Sequence, residues 1–143
     1  MSTRKQLGDS IALVMQEVIG SAVLTNERIA RSIGLNVVDL QTYGVLLRNN
    51  GPMTPGQLAA ATELPSSTTT RVLDRLEGKG MVERQADPAD RRKVWVHGVQ
   101  FHDQRVEAAY TEILRQMEEA HAGFTVAELQ TVLRYLDVIK NVR

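Results

Sequence analysis

From Leu7 onward the apolar residues recur at helical spacing. Leu7, Ile11, Val14 and Val18 form one row, and Ala12, Met15, Ile19 and Val23 form a second beside it. A helix apolar over so much of its circumference usually contacts two bodies. The pattern therefore predicts a helix that packs on its own subunit and on a dimer partner; burial in one monomeric core is the other arrangement it allows. A second helix fits Val37–Arg48, with Val38, Leu40, Tyr43, Leu46 and Leu47 as its buried side, and Asn49-Asn50-Gly51-Pro52 ends it. Thr54-Pro55-Gly56-Gln57 then reads as a helix start. Thr54 can accept from the exposed N–H groups, Pro55 suits the first helical position and Gln57 can complete a capping box. This short helix carries Leu58, Ala59 and Ala61 and gives way to a turn at Glu63-Leu64-Pro65.

After that turn Ser66 or Ser67 is expected to cap a helix with Val72, Leu73 and Leu76 on one side and Gly78 and Gly80 marking its end. The period then changes. Met81-Val82-Glu83-Arg84 and Lys93-Val94-Trp95-Val96-His97 read as strands joined by the turn-rich Asp87-Pro88-Ala89-Asp90, which makes a β-hairpin with a charged tip. Beyond Phe101 helical spacing returns through Val106, Tyr110, Ile113, Leu114 and Met117. A break around Gly123 precedes a last helix with Leu129, Val132, Leu133, Leu136 and Ile139.

Composition narrows the function. The chain has 143 residues, 43% of them apolar and 24% charged, which suits one soluble folding unit. It has no cysteine, so disulfides, thiolate catalysis and thiol-based redox sensing drop out, and a reducing cytoplasm is the expected location. No run of 18 residues is wholly apolar, and Gln16 and Glu17 interrupt the nearest approach to a signal-peptide core, so no membrane association is expected. Formal net charge is zero, but the distribution is uneven. Residues 66–97 carry seven basic and five acidic groups, whereas residues 98–143 carry five basic and seven acidic.

The order helix, tight turn, helix, β-hairpin is that of a winged helix-turn-helix, whose second helix fits the major groove while the hairpin tip reaches the minor groove. Ser66, Ser67, Thr68, Thr69, Thr70 and Arg71 open that second helix without one apolar residue. Small hydroxyls allow close approach to bases and phosphates, and a helix N-terminus favours an anion. Arg71 can reach a guanine edge or a phosphate.

From Thr68 through Arg84, and again at Asp87-Pro88-Ala89-Asp90-Arg91-Arg92, the chain strongly resembles the recognition helix and wing of the MarR (multiple antibiotic resistance regulator) family. The flanking helical segments fit the family's six-helix order, so the resemblance extends over nearly the whole chain. It implies a mainly α fold with a small β-hairpin wing. Residues 1–143 would form a single domain of an obligate homodimer, with residues 1–36 and 101–143 as dimerisation helices and residues 37–100 as the DNA-binding region. It implies repression at a palindromic operator, relieved by a small aromatic or phenolic ligand.

By position, Ser67, Thr68 and Arg71 resemble residues that meet the major groove, and Ser66 and Thr70 of the same polar run are expected to contact DNA beside them. Asp90, Arg91 and Arg92 resemble the wing tip, and Arg84 a phosphate ligand or an ordinary surface residue. Asp74 and Arg92 sit where family members form an ion pair bracing wing to recognition helix. Met15, Tyr43 and Tyr110 are candidates for the ligand pocket, with plain core packing as their other role. Two departures stand out: Val96-His97-Gly98-Val99-Gln100-Phe101-His102 replaces the family's usual end of the second wing strand, and Pro65 sits where a polar cap is common.

The rival classes find less support. His97, His102 and His121 are the only histidines, and none lies in an arrangement suggesting a triad or the paired spacing of a metal site, so neither catalysis, metal nor cofactor is expected. A helical homodimer that binds protein instead of DNA is the alternative. The Asp90-Arg91-Arg92 tip, kept at family spacing from a recognition helix, argues against it.

Overall fold

The computed structural model describes residues 1–143. The chain forms six helices, α1 (Arg4–Ser32), α2 (Val37–Arg48), α3 (Pro55–Thr62), α4 (Ser66–Gly78), α5 (Gln104–His121) and α6 (Val126–Ile139), with a two-stranded hairpin, β1 (Val82–Ala86) and β2 (Val94–Gly98), between α4 and α5, in the chain order expected. The chain divides into two compact units, residues 1–102 and residues 103–143.

In the first unit, local signals set the helix starts. Thr3 and Gln6 form a capping box that begins α1 ahead of its first apolar row. Thr54 and Gln57 form the box read from sequence, with Pro55 in the first turn of α3. Glu63 in the left-handed conformation (φ 57°) then turns the chain sharply toward α4. At the far end of α4, Gly80 (φ +71°) lets the Met81 N–H return to the Leu76 carbonyl at 3.0 Å, so the chain leaves the helix directly into β1.

The core gathers Leu58 of α3, Val72, Leu73 and Leu76 of α4, Met81, and Val82 and Val96 of the hairpin, all essentially inaccessible. Ile29, Ala30, Ile33 and Leu35, at and just beyond the end of α1, join it, as do Tyr43 and Leu46 of α2. The hairpin is antiparallel, running from Val82 opposite Gly98 to Ala86 opposite Val94. It also has a partner the sequence reading took for loop: Met53 exchanges both backbone hydrogen bonds with Val96, at 2.8 and 2.7 Å. Gly98 permits β2 to close on α2, because a Cβ there would sit 3.0 Å from the Leu47 side chain.

One expectation about burial is corrected. Val38 and Leu47 of α2 are exposed, while Asp39 and Thr42 are inside. The exchange is tolerable because each buried polar group is bonded, Thr42 to the Val38 carbonyl at 2.8 Å and Asp39 to Arg75. The apolar stripe of α1 is not covered within the chain: Leu7, Val14, Val18 and Ile19 are more than half exposed. By length and composition alone α1 could cross a membrane.

The second unit is a pair of helices with equally explicit caps. Asp103 accepts from the N–H groups of Arg105 and Val106 at the start of α5, so the altered run before it still ends in a working helix start. Thr125 and Glu128 form a capping box on α6. Neither helix has a buried residue, and Leu114, Met117, Leu133 and Leu136 are exposed.

Candidate nucleic-acid interface

α3, the turn at 63–65 and α4 form a helix-turn-helix, and the hairpin follows as the wing. The expected cap of α4 is absent. Pro65 occupies the N-cap position and makes no side-chain cap bond, while Ser66 and Ser67 already lie within the helix. The first backbone hydrogen bond here is Thr69 N–H to the Pro65 carbonyl at 2.9 Å, so the N–H groups of Ser66, Ser67 and Thr68 have no intrahelical acceptor. A proline cap thus leaves an exposed, partly positive helix end beside two free serine hydroxyls.

The polar run also divides by direction. Ser66, Ser67, Thr70 and Arg71 are exposed and Thr68 is half-buried, whereas Thr69 turns inward and bonds the Pro65 carbonyl at 3.0 Å. The Thr70 hydroxyl donates to the Ser66 carbonyl at 3.0 Å, which still leaves its oxygen able to accept.

What fixes α4 against the rest of the unit is an ion pair that sequence reading missed. Asp39 is wholly inaccessible, and Arg75 donates to it from Nε at 3.0 Å and from Nη2 at 2.8 Å. The same carboxylate accepts from the Asn36 N–H at 3.0 Å, completing the capping box of α2. One acidic group therefore starts α2 and clamps the recognition helix. Its hydrogen bond to Arg75 raises the guanidinium above its ordinary pKa, against the opposing effect of burial. The Asn36-x-x-Asp39 spacing was the available signal for the cap; nothing local marks Arg75 as its partner.

The wing brace is also reassigned. The expected Asp74–Arg92 pair is not formed. Asp74 accepts from Arg84 at 2.9 Å, and Arg84 also donates to Glu77 at 2.9 Å. The reason is reach. Arg84 projects from β1 toward α4, opposite the buried Val96, while Arg92 lies out on the tip with 95% of its side chain exposed and only a 3.7 Å approach to Asp90. Arg91 is exposed and outside every ion pair of the wing. Asp90 turns its carboxylate onto the Arg92 N–H at 3.0 Å, shaping the tip. Arg84 thus moves from candidate phosphate ligand to strut, and both tip arginines are left to the solvent.

Two further clusters complete the wing. Trp95 donates its indole N–H to Asp87 at 2.7 Å, and that bond, with those from the Ala89 and Asp90 N–H groups, holds the Asp87 carboxyl below the usual carboxylate range. His97 and Glu83 pair across the strands at 3.1 Å.

The three residues expected at a ligand pocket have different surroundings. Met15 is half-buried on α1, and Tyr110 is exposed on α5. Tyr43 is buried, and its hydroxyl is fully used. It donates to the Val99 carbonyl at 2.6 Å and accepts from the Phe101 N–H at 3.1 Å, tying α2 to the segment after β2. Tyr43→Phe should therefore cost about 1 to 2 kcal/mol by stranding two backbone groups. A denaturant midpoint unchanged from wild type would show that water replaces the hydroxyl.

A helix-turn-helix with an exposed recognition-helix end and a braced two-stranded wing defines a winged helix-turn-helix protein. Residues 45–94 match the MarR family model, and the chain is similar over most of its length to a protein named as an HTH-type transcriptional regulator. It is 26% identical to the HTH-type transcriptional regulator YcgE of Bacillus subtilis over 94% of this chain and 87% of that one. It is 30% identical to the HTH-type transcriptional repressor NicR of Pseudomonas putida over 66% of this chain and 63% of that one. The fold matches that of Streptococcus pneumoniae FabT, solved in complex with DNA, with a TM-score of 0.71 at 20% identity over 92% of this chain and 94% of that one.

Proposed function

We propose that the protein is a homodimeric, sequence-specific DNA-binding repressor that occupies a palindromic operator in the cytoplasm and is released by a small aromatic or phenolic ligand. One arrangement carries the reading: the uncapped first turn of α4, with Arg71 beside it, shares a unit with a wing tip whose arginines are not spent on the fold. Ser66, Ser67, Thr68, Thr70 and Arg71 face bases and phosphates in the major groove, and Arg91 and Arg92 enter the minor groove. The relative named as a repressor and the structural neighbour solved with DNA support the same reading.

Residues 1–36 and 101–143 supply the dimer contacts, and residues 37–100 the DNA contacts. The support is the apolar side chains left open on α1, α5 and α6, among them Leu7, Val18, Leu114 and Leu133. A second copy is the occupant with matching chemistry. An effector acts by favouring one separation of the two recognition helices over another, because only differential affinity shifts an equilibrium. Met15 and Tyr110 are the candidates for touching it, while Tyr43 offers ring surface but no free hydroxyl.

Selection of bound duplexes from a random pool, with light scattering on the same sample, tests this. The expected product is a palindrome with half-sites one turn, about 34 Å, apart, held by a particle of two chains. Retention independent of salt, or a monomeric mass, would count for the protein-binding alternative or against the dimer.

A further inference from the structure

The two faces of the wing are secured by different means. Toward α4, Arg84 ties β1 to Asp74 and Glu77. On the opposite face the register places Glu83 across from His97 and Gln85 across from Trp95, and the Asp87 N–H to Lys93 carbonyl bond continues the ladder by one step. Because side chains alternate along a strand, Asp87 and Trp95 are diagonal neighbours on that face.

Resting on the DNA-binding reading above, we propose that Trp95 is a positioning residue for that binding: through Asp87 it fixes the wing tip that carries Arg91 and Arg92. The Asp87 carboxylate divides its work. Oδ1 accepts from the N–H groups of Ala89 and Asp90, at 2.8 and 3.0 Å, and so bends the tip. Oδ2 accepts from the Trp95 indole at 2.7 Å, and so anchors the bent tip to the strand. The indole is itself held, half-buried, with the Lys93 ammonium 5.9 Å from its ring centre. The tip has no core of its own, so without the indole bond its ordering must be completed when DNA arrives, and binding weakens accordingly.

Trp95 is the only tryptophan of the chain, so tryptophan emission reports the surroundings of this indole. Three measurements on the full-length protein test the proposal. Asp87→Asn should shift the Trp95 emission of the free protein. Trp95→Phe, which keeps a ring and removes the N–H, should weaken binding to a selected duplex by about tenfold, the usual scale for a hydrogen bond to a charged group. The same change in an Arg91→Ala/Arg92→Ala background should alter affinity by less than about twofold, because the groups it positions are gone. Unchanged emission, wild-type affinity in Trp95→Phe, or equal losses in both backgrounds would overturn the role for Trp95 while leaving the DNA-binding reading intact. Absence of salt-dependent duplex binding by the wild-type protein would overturn both.

Discussion

Arg75→Leu is expected to destabilise the fold by about 3 kcal/mol, at the lower end of the range for breaking a buried ion pair by removing one partner. Asp39 is completely inaccessible and depends on Arg75 for two of its charge-assisted bonds, whereas the Arg75 side chain is 42% exposed. Removing the arginine leaves a carboxylate in the core with only the Asn36 N–H as partner. Removing both charges is less harmful, so Asp39→Asn/Arg75→Leu should lose less than the sum of the single changes. Thermal unfolding at fixed protomer concentration is the measurement, and a drop of about 10 °C is expected for the single change. A midpoint within a degree of wild type would mean that water or another group replaces the guanidinium.

The same clamp bears on DNA recognition. Arg75 sits one turn beyond Arg71 on α4, so the group that locks the helix to α2 also sets how the polar first turn is presented. Loss of affinity in Arg75→Leu would therefore be indirect.

Arg91→Ala/Arg92→Ala is the second large effect. The fold should keep its stability, because neither side chain braces the wing, while affinity for every duplex falls by about a hundredfold and the slope of log affinity against log salt drops by about 2. That combination separates groove contact from folding. A stability loss matching the affinity loss would instead place the arginines in the wing's own architecture, the role expected for Arg92 from its position in the motif. A mobility-shift titration over several salt concentrations, beside a denaturation curve, gives both quantities.

Much of this protein is legible along the chain. The boxes at Thr54 and Gln57, the Gly80 turn and the change from helical to alternating period place α3, α4 and the hairpin, because capping and periodicity depend on residues within one turn of each other. The helix-turn-helix and the wing follow from that local order, and the family resemblance from the residues they carry between Thr68 and Arg92. Tertiary structure alone decided who pairs with whom. Asp39 meets Arg75 across 36 positions, Asp74 takes Arg84 in place of Arg92, Met53 becomes a strand partner of Val96, and Tyr43 spends its hydroxyl on Val99 and Phe101. Each depends on which side chain can span the distance between two packed elements, and spacing along the sequence does not encode that distance. The sequence determined where the charges of the wing lie; packing determined which of them hold it up and which remain for a partner.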